Sequence, residues 1–165
     1  MPDPVFALDA NVFIQANRQY YPFDLAPGFW ASLVRRAEEG RVESIDRVRT
    51  ELERGVDELV AWARGPFASA FASTDAEDVL RSYGELMNWA HAQQQFSDAA
   101  KADFARSADG WLVAYARARQ RIVVTQEVFN PDVRRKIPIP NVCRAFGVSC
   151  INTYEMMRRL GIQWG

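Results

Sequence analysis

The chain predicts an α/β fold, with a central, mostly parallel sheet covered on both faces by helices, and three observations carry that expectation. Val5-Phe6-Ala7-Leu8 places four apolar residues in a row, the pattern of a strand buried on both faces. Ile122-Val123-Val124-Thr125 repeats that pattern late in the chain. Between and beyond them apolar residues recur at spacings of three and four with no tight hairpin signal, so strands alternate with helices and run parallel.

Taken in order, Asn11 is expected to cap a first helix running to Tyr21, where Pro22 stops it because proline cannot continue the hydrogen-bond ladder. Pro27 suits a first helical position. Phe29, Trp30, Leu33, Val34 and Ala37 then share a face up to Gly40. Val42 to Ile45 is short and β-prone, and Asp46 is a candidate cap for a helix holding Val48 and Leu52, which Gly55 ends or bends. From Val56 to Arg119 the pattern is largely helical. It runs through Leu59, Val60 and Ala63, then Val79, Tyr83, Leu86 and Ala90, then Trp111, Leu112 and Tyr115, with breaks at Gly65-Pro66 and Phe96-Ser97. Val148 to Ile151 is a third, weaker strand before a last helix from Thr153 to Leu160.

At 165 residues with 48% apolar content, residues 1–165 are expected to form one domain around one core. Twenty basic against 21 acidic residues leave a net charge of −1, too little positive charge for indiscriminate binding to nucleic acid. A local basic rim remains open, and it would be built of arginine, since Lys101 and Lys136 are the only lysines. No apolar run approaches the roughly 18 residues that span a bilayer. Only Met1 to Pro4 precede the first strand, so a cytoplasmic location without membrane contact is expected. Cys143 and Cys150 lack a CxxC spacing and a nearby histidine, and read as small buried thiols. His91, the single histidine, reads as a helix-surface residue, which argues against serine or cysteine hydrolase chemistry.

The acids are more informative. Asp9 ends the first strand, where open α/β sheets place their ligands, and an unpaired carboxylate there needs a cation or a hydrogen-bond network. Glu51 lies in the helix after the short second strand, Asp109 in the first turn of the Trp111 helix behind a candidate Ser107 cap, and Glu127 two residues past the Ile122 strand. Each acid alone is accounted for as a surface or capping residue. Together at one edge of the sheet they would repel one another, and a divalent cation relieves such repulsion. Ligation by oxygen alone suits Mg²⁺ or Mn²⁺.

Leu8-Asp9-Ala10-Asn11, Val48-Arg49-Thr50-Glu51-Leu52, Ala108-Asp109-Gly110-Trp111-Leu112-Val113-Ala114-Tyr115-Ala116 and Val123-Val124-Thr125-Gln126-Glu127 resemble, in order and separation, the motifs of PIN-domain ribonucleases. The resemblance extends from about Val5 to Ile151 and implies a PIN-like three-layer α/β/α sandwich with a helical insertion at about residues 65–104. Within the family it is closest to a PIN-like group of uncharacterised bacterial proteins and to VapC-like toxins of toxin-antitoxin pairs. It implies Asp9, Glu51 and Asp109 as metal-binding, catalytic carboxylates. Glu127 stands where the family more often has aspartate, one methylene shorter, and Asn11 and Thr125 match polar positions that orient the acids.

The activity so implied is Mg²⁺- or Mn²⁺-dependent hydrolysis of RNA phosphodiester bonds that leaves 5′-phosphate and 3′-hydroxyl ends. A cognate antitoxin and a homodimer are the implied partners beside RNA. Arg134, Arg135 and Lys136 are candidates to hold the RNA backbone, set against a plain solvated loop ahead of Pro138 and Pro140. Trp30 and Trp111 read as core, Trp62 and Trp89 as candidates for an interface, and Trp164 is undecided.

Three other readings compete with this one. A dinucleotide-binding domain fails because no glycine follows the first strand. A haloacid dehalogenase-type phosphatase needs a second acid where Asn11 stands. The stronger rival is not an enzyme: a catalytically inactive PIN-like module for protein interaction or structural metal binding.

Overall fold

A computed structural model of the chain describes residues 2–163, so Trp164 lies outside the described residues. Five strands form one parallel sheet in the order β3-β2-β1-β4-β5: β1 (Phe6–Leu8), β2 (Val42–Ile45), β3 (Phe71–Ala72), β4 (Ile122–Val124) and β5 (Cys150–Ile151). Phe6, Ala7 and Leu8 are fully buried at its centre, paired with Val42 on one side and Ile122 to Val124 on the other. The chain runs outward from β1 to β2 and β3, then crosses back to place β4 on the far side of β1. Strand order therefore reverses between β1 and β4, and the crevice outside the carboxyl ends of those two strands is where such sheets bind ligands.

Nine α-helices were found among the described residues. The first, α1 (Ala10–Gln15), passes into a π-helical turn at Ala16–Tyr20 before Pro22, so the expected first helix changes winding partway. Asp9, not Asn11, occupies its cap position, and Asn11 lies inside the first turn. Pro27 does open α2 (Pro27–Glu38), whereas Asp46 is the first residue of α3 (Asp46–Leu52) and Ile45, not Asp46, holds its cap position. The Asp46 carboxylate accepts from the Arg47 N–H and, across a gap in sequence, from the N–H and hydroxyl of Thr74.

The stretch expected to be largely helical holds α4 (Glu58–Arg64), the two-residue edge strand β3, α5 (Glu77–Ala92), α6 (Asp98–Arg106) and α7 (Asp109–Arg119). It therefore also extends the sheet. Helix α8 (Ile139–Phe146) stands where no element was expected, and α9 (Thr153–Leu160) is the last helix. On one side α2 and α9 are joined by Arg36 Nη2 donating to the Leu160 carbonyl at 2.7 Å, while α7 packs against α5, α6 and α8.

Aromatic packing corrects two expectations. Trp62 does not face an interface: it is 7% exposed, stacked on Phe67 at 4.5 Å and edge-on to Trp30 at 4.8 Å, inside a cluster with Phe13 and Phe23. Trp89 is half-buried against Phe96 and Phe146. Trp30 is core, as expected, whereas Trp111 is half-buried between the Tyr83 ring at 3.7 Å and the Arg47 guanidinium at 3.8 Å.

Candidate functional site

The strand order reversal and the acids meet at the same place. Asp9 follows β1 directly; its N–H donates to the Val124 carbonyl of β4, and its Oδ2 accepts from the Thr125 hydroxyl at 2.9 Å. Both side chains are buried, Asp9 at 4% and Thr125 at 1% exposure. Thr125 Oγ1 in turn accepts from the Glu127 N–H, and Asn11 Oδ1 from the Gln126 N–H, so two polar residues of the expected set hold the turn after β4 against α1.

Asp109 comes from the other direction, at the first turn of α7. Ser107 Oγ accepts the Asp109 N–H at 3.2 Å, the capping contact expected of it, although the formal cap residue is Ala108. Glu51, near the carboxyl end of α3, reaches across to accept the Ala108 N–H at 2.9 Å and so ties α3 to the start of α7. Gly110 lets α7 pack closely on α5 and α6: a Cβ there would come within 2.9 Å of Met87 Cε and 3.2 Å of Phe104 Cζ, so those side chains would have to shift.

Electrostatics place the four acids in one neighbourhood. Burial, then the charges of Asp109 and Glu127, push the Asp9 carboxyl well above the ordinary aspartate range, against the pull of the Thr125 hydroxyl. Asp109 is pushed up to about 7 by burial and by Glu127 and Glu51, with Lys136 opposing. Among the described residues no arginine pairs with Asp9, Glu51 or Asp109. Such unneutralised, desolvated carboxylates are costly to keep and mark functional sites more often than structural ones.

One cation does reach them. Lys136 Nζ lies 2.5 Å from Glu127 Oε1, while Glu127 Oε2 accepts from the Ile139 N–H at the start of α8. Partial burial lowers the Lys136 ammonium, but the hydrogen bond to Glu127 and the charges of Glu127, Asp109 and Asp9 outweigh it and hold it above the ordinary lysine value. Of the expected basic trio, Lys136 thus folds toward the acids, while Arg134 and Arg135 are exposed. With both Glu127 oxygens engaged and Glu51 on a backbone N–H, no three His, Cys, Asp or Glu side chains among the described residues stand arranged to hold a metal ion. In donor chemistry the set fits a hard dication: four carboxylates, two of them with their charged form disfavoured by their neighbours.

Three hollows border the acids. One of about 570 Å³ lies beside Glu127 and Thr125, one of about 290 Å³ joins Asp109 to Arg135 and Lys136, and one of about 240 Å³ joins Glu51 to Arg18 and Arg54. Cys143 is buried and Cys150 half-buried on the wall of the largest, with their thiols in contact. His91 is exposed on α5, as expected. Among the described residues no helix is long and apolar enough to cross a membrane.

Among solved structures the chain is similar to the one described as "Crystal Structure of FitAcB from Neisseria gonorrhoeae", with a TM-score of 0.53 and 18% identity over 91% of this chain and 99% of that one. At that identity the likeness is one of fold, an α/β fold with a parallel sheet between helices. No curated protein matches the chain. The family model described as "Domain of unknown function (DUF4411)" matches residues 6–164, nearly the whole length, and the chain belongs to that family.

Proposed function

We propose that this chain is a metal-dependent endoribonuclease that hydrolyses RNA phosphodiester bonds, and that it acts as the toxin of a type II toxin-antitoxin pair. The observation that carries the nuclease reading is the buried Asp9 and half-buried Asp109, whose carboxyl groups lie at the strand reversal among like charges and without an arginine partner. The toxin role, with its cognate antitoxin, rests on the motif resemblance and on the shared fold.

Asp9, Glu51, Asp109 and Glu127 are the residues that would hold Mg²⁺ or Mn²⁺. When bound, such an ion supplies activation of water and neutralises charge on the attacking and leaving oxygens. The chain's own residues do the positioning: Thr125 fixes the Asp9 carboxyl, Asn11 and Thr125 pin the turn that carries Glu127, and Ser107 and Glu51 anchor the start of α7 that carries Asp109. Exposed Arg135, which shares a hollow with Asp109, and its exposed neighbour Arg134 contribute contacts to the RNA backbone that are independent of base identity.

The test is cleavage of single-stranded and transfer RNA with Mg²⁺ or Mn²⁺, wild type beside Asp9→Asn. The expected result is cleavage by the wild type, leaving 5′-phosphate and 3′-hydroxyl ends, and its loss in the variant. Equal cleavage by both proteins, or none by either, overturns the reading in favour of a non-enzymatic interaction module.

A further inference from the structure

The largest hollow, of about 570 Å³, opens at the carboxyl ends of β4 and β5 and shares Thr125 and Glu127 with the acid site. Its rim is carried by the segment from Gln126 to Asn130, which is clamped at both ends. At one end Gln126 N–H donates to Asn11 and Glu127 N–H to Thr125. At the other, Asn141, 8% exposed on α8, accepts the Asn130 N–H at 3.1 Å and donates to the Asn130 carbonyl at 2.8 Å.

Between these clamps Val128 is 79% and Phe129 36% exposed, and the Arg144 guanidinium lies 4.5 Å from the Phe129 ring centroid. Val128 and Phe129 thus leave apolar surface in water on a segment whose backbone is held in place. An aromatic ring backed on one face by an arginine, at the mouth of a cavity large enough for a nucleoside, is the chemistry that stacks an unpaired base on the ring's other face. Gln126 and Asn152 add amide groups to the same wall, suited to hydrogen bonds with a base edge.

We infer that this hollow is a base-binding subsite in which Phe129 and Arg144 stack the nucleobase next to the phosphodiester held at the acids. The inference rests on the nuclease reading, because the acids are what set the phosphate beside Glu127. It assigns single-stranded RNA as the substrate form, since a paired base cannot leave its stack to enter the hollow without cost.

The test is fluorescence anisotropy of labelled eight-residue RNA strands, and of abasic strands of equal charge, both with phosphorothioate linkages that slow cleavage, on the wild-type protein in Mn²⁺. Adding Phe129→Ala is expected to weaken binding of RNA by about fivefold or more and to leave binding of the abasic strand unchanged. Adding Phe129→Tyr, which keeps the ring, is expected to retain the parent's affinity. Equal RNA affinity with and without Phe129→Ala, or no measurable RNA binding by the parent, overturns the inference and returns the apolar rim to a protein partner. The two readings fail separately. Cleavage that Asp9→Asn abolishes but Phe129→Ala leaves alone in KM removes the subsite and keeps the nuclease, whereas Phe129-dependent binding by a protein that never cuts removes the nuclease.

Discussion

Helix α7 joins two acidic sites that solve the same problem in opposite ways. Near its carboxyl end, Glu43 of β2 accepts from Arg121 Nε at 2.6 Å and from the Tyr115 hydroxyl at 2.9 Å through the same oxygen. Burial, then the Glu43 charge, push that phenol up to about 12, so it remains a donor at any physiological pH. At the amino end, Asp109 and Asp9 have neighbours of their own sign and one displaceable ammonium, Lys136. A paired acid is part of the scaffold, and its charge is spent inside the protein. The cluster at the amino end has no such partners, so burial and like charges disfavour its ionised form, and either a bound proton or an outside cation relieves them.

The comparison breaks or sharpens under substitution, beginning with the largest effect. Asp109→Asn is expected to lower RNA cleavage about 100-fold or more, the scale on which a preorganised charge contributes to a transition state, whereas Glu43→Gln leaves the rate unchanged. Assays of initial rate on one RNA strand check both.

Next in size is stabilisation by metal. Mn²⁺ at about 100 times its dissociation constant is expected to raise unfolding free energy by about 2.7 kcal/mol in the wild type, and to do nothing for Asp9→Asn in denaturant titrations. Smaller again is the scaffold effect. Glu43→Gln is expected to lose on the order of 1 kcal/mol, because Arg121 gives up a charged hydrogen bond, while Asp9→Asn without metal gains stability by removing a buried charge.

The pH dependence follows from signs. Asp109 holds its proton more tightly when folded, so without cation its contribution to stability is complete below about pH 4, declines as pH rises toward 7, and is flat beyond. Thermal unfolding across that range reads it, and Asp109→Asn removes it. The smallest expected effect is at the competing cation: Lys136→Met frees a Glu127 oxygen and is expected to tighten Mn²⁺ binding a few-fold, read by calorimetry.

Much of this contrast was legible in the order of residues. The unbroken apolar run before Asp9 and the run ending at Thr125 placed both residues at one edge of the sheet, because a strand buried on two faces leaves its first polar residue at the rim. Other features depended on contacts that no local pattern encodes. Helix α8 was missed because Pro138 and Pro140 bracket its start, yet Pro140 sits in the first turn, where its missing N–H costs nothing, and Ile139, Val142 and Cys143 form the buried face. Strand β3 has two residues and offers no alternation to read.

The reach of Lys136 onto Glu127 was invisible for a different reason. A flexible side chain in a charged run reads as solvated until the start of α8 brings its backbone beside the acids. Trp62 shows the same limit: helical spacing identifies an apolar face without saying whether the chain itself or a partner covers it.

The claim beneath the whole account is that the amino end of α7 is a cation-binding pole and its carboxyl end is not. Calorimetric titration of Mn²⁺ into the wild type, Asp9→Asn and Glu43→Gln tests it most directly. The account predicts saturable binding by the wild type and by Glu43→Gln, with none by Asp9→Asn. A wild type that takes up no Mn²⁺, or an Asp9→Asn protein that binds it as tightly as the wild type, contradicts it.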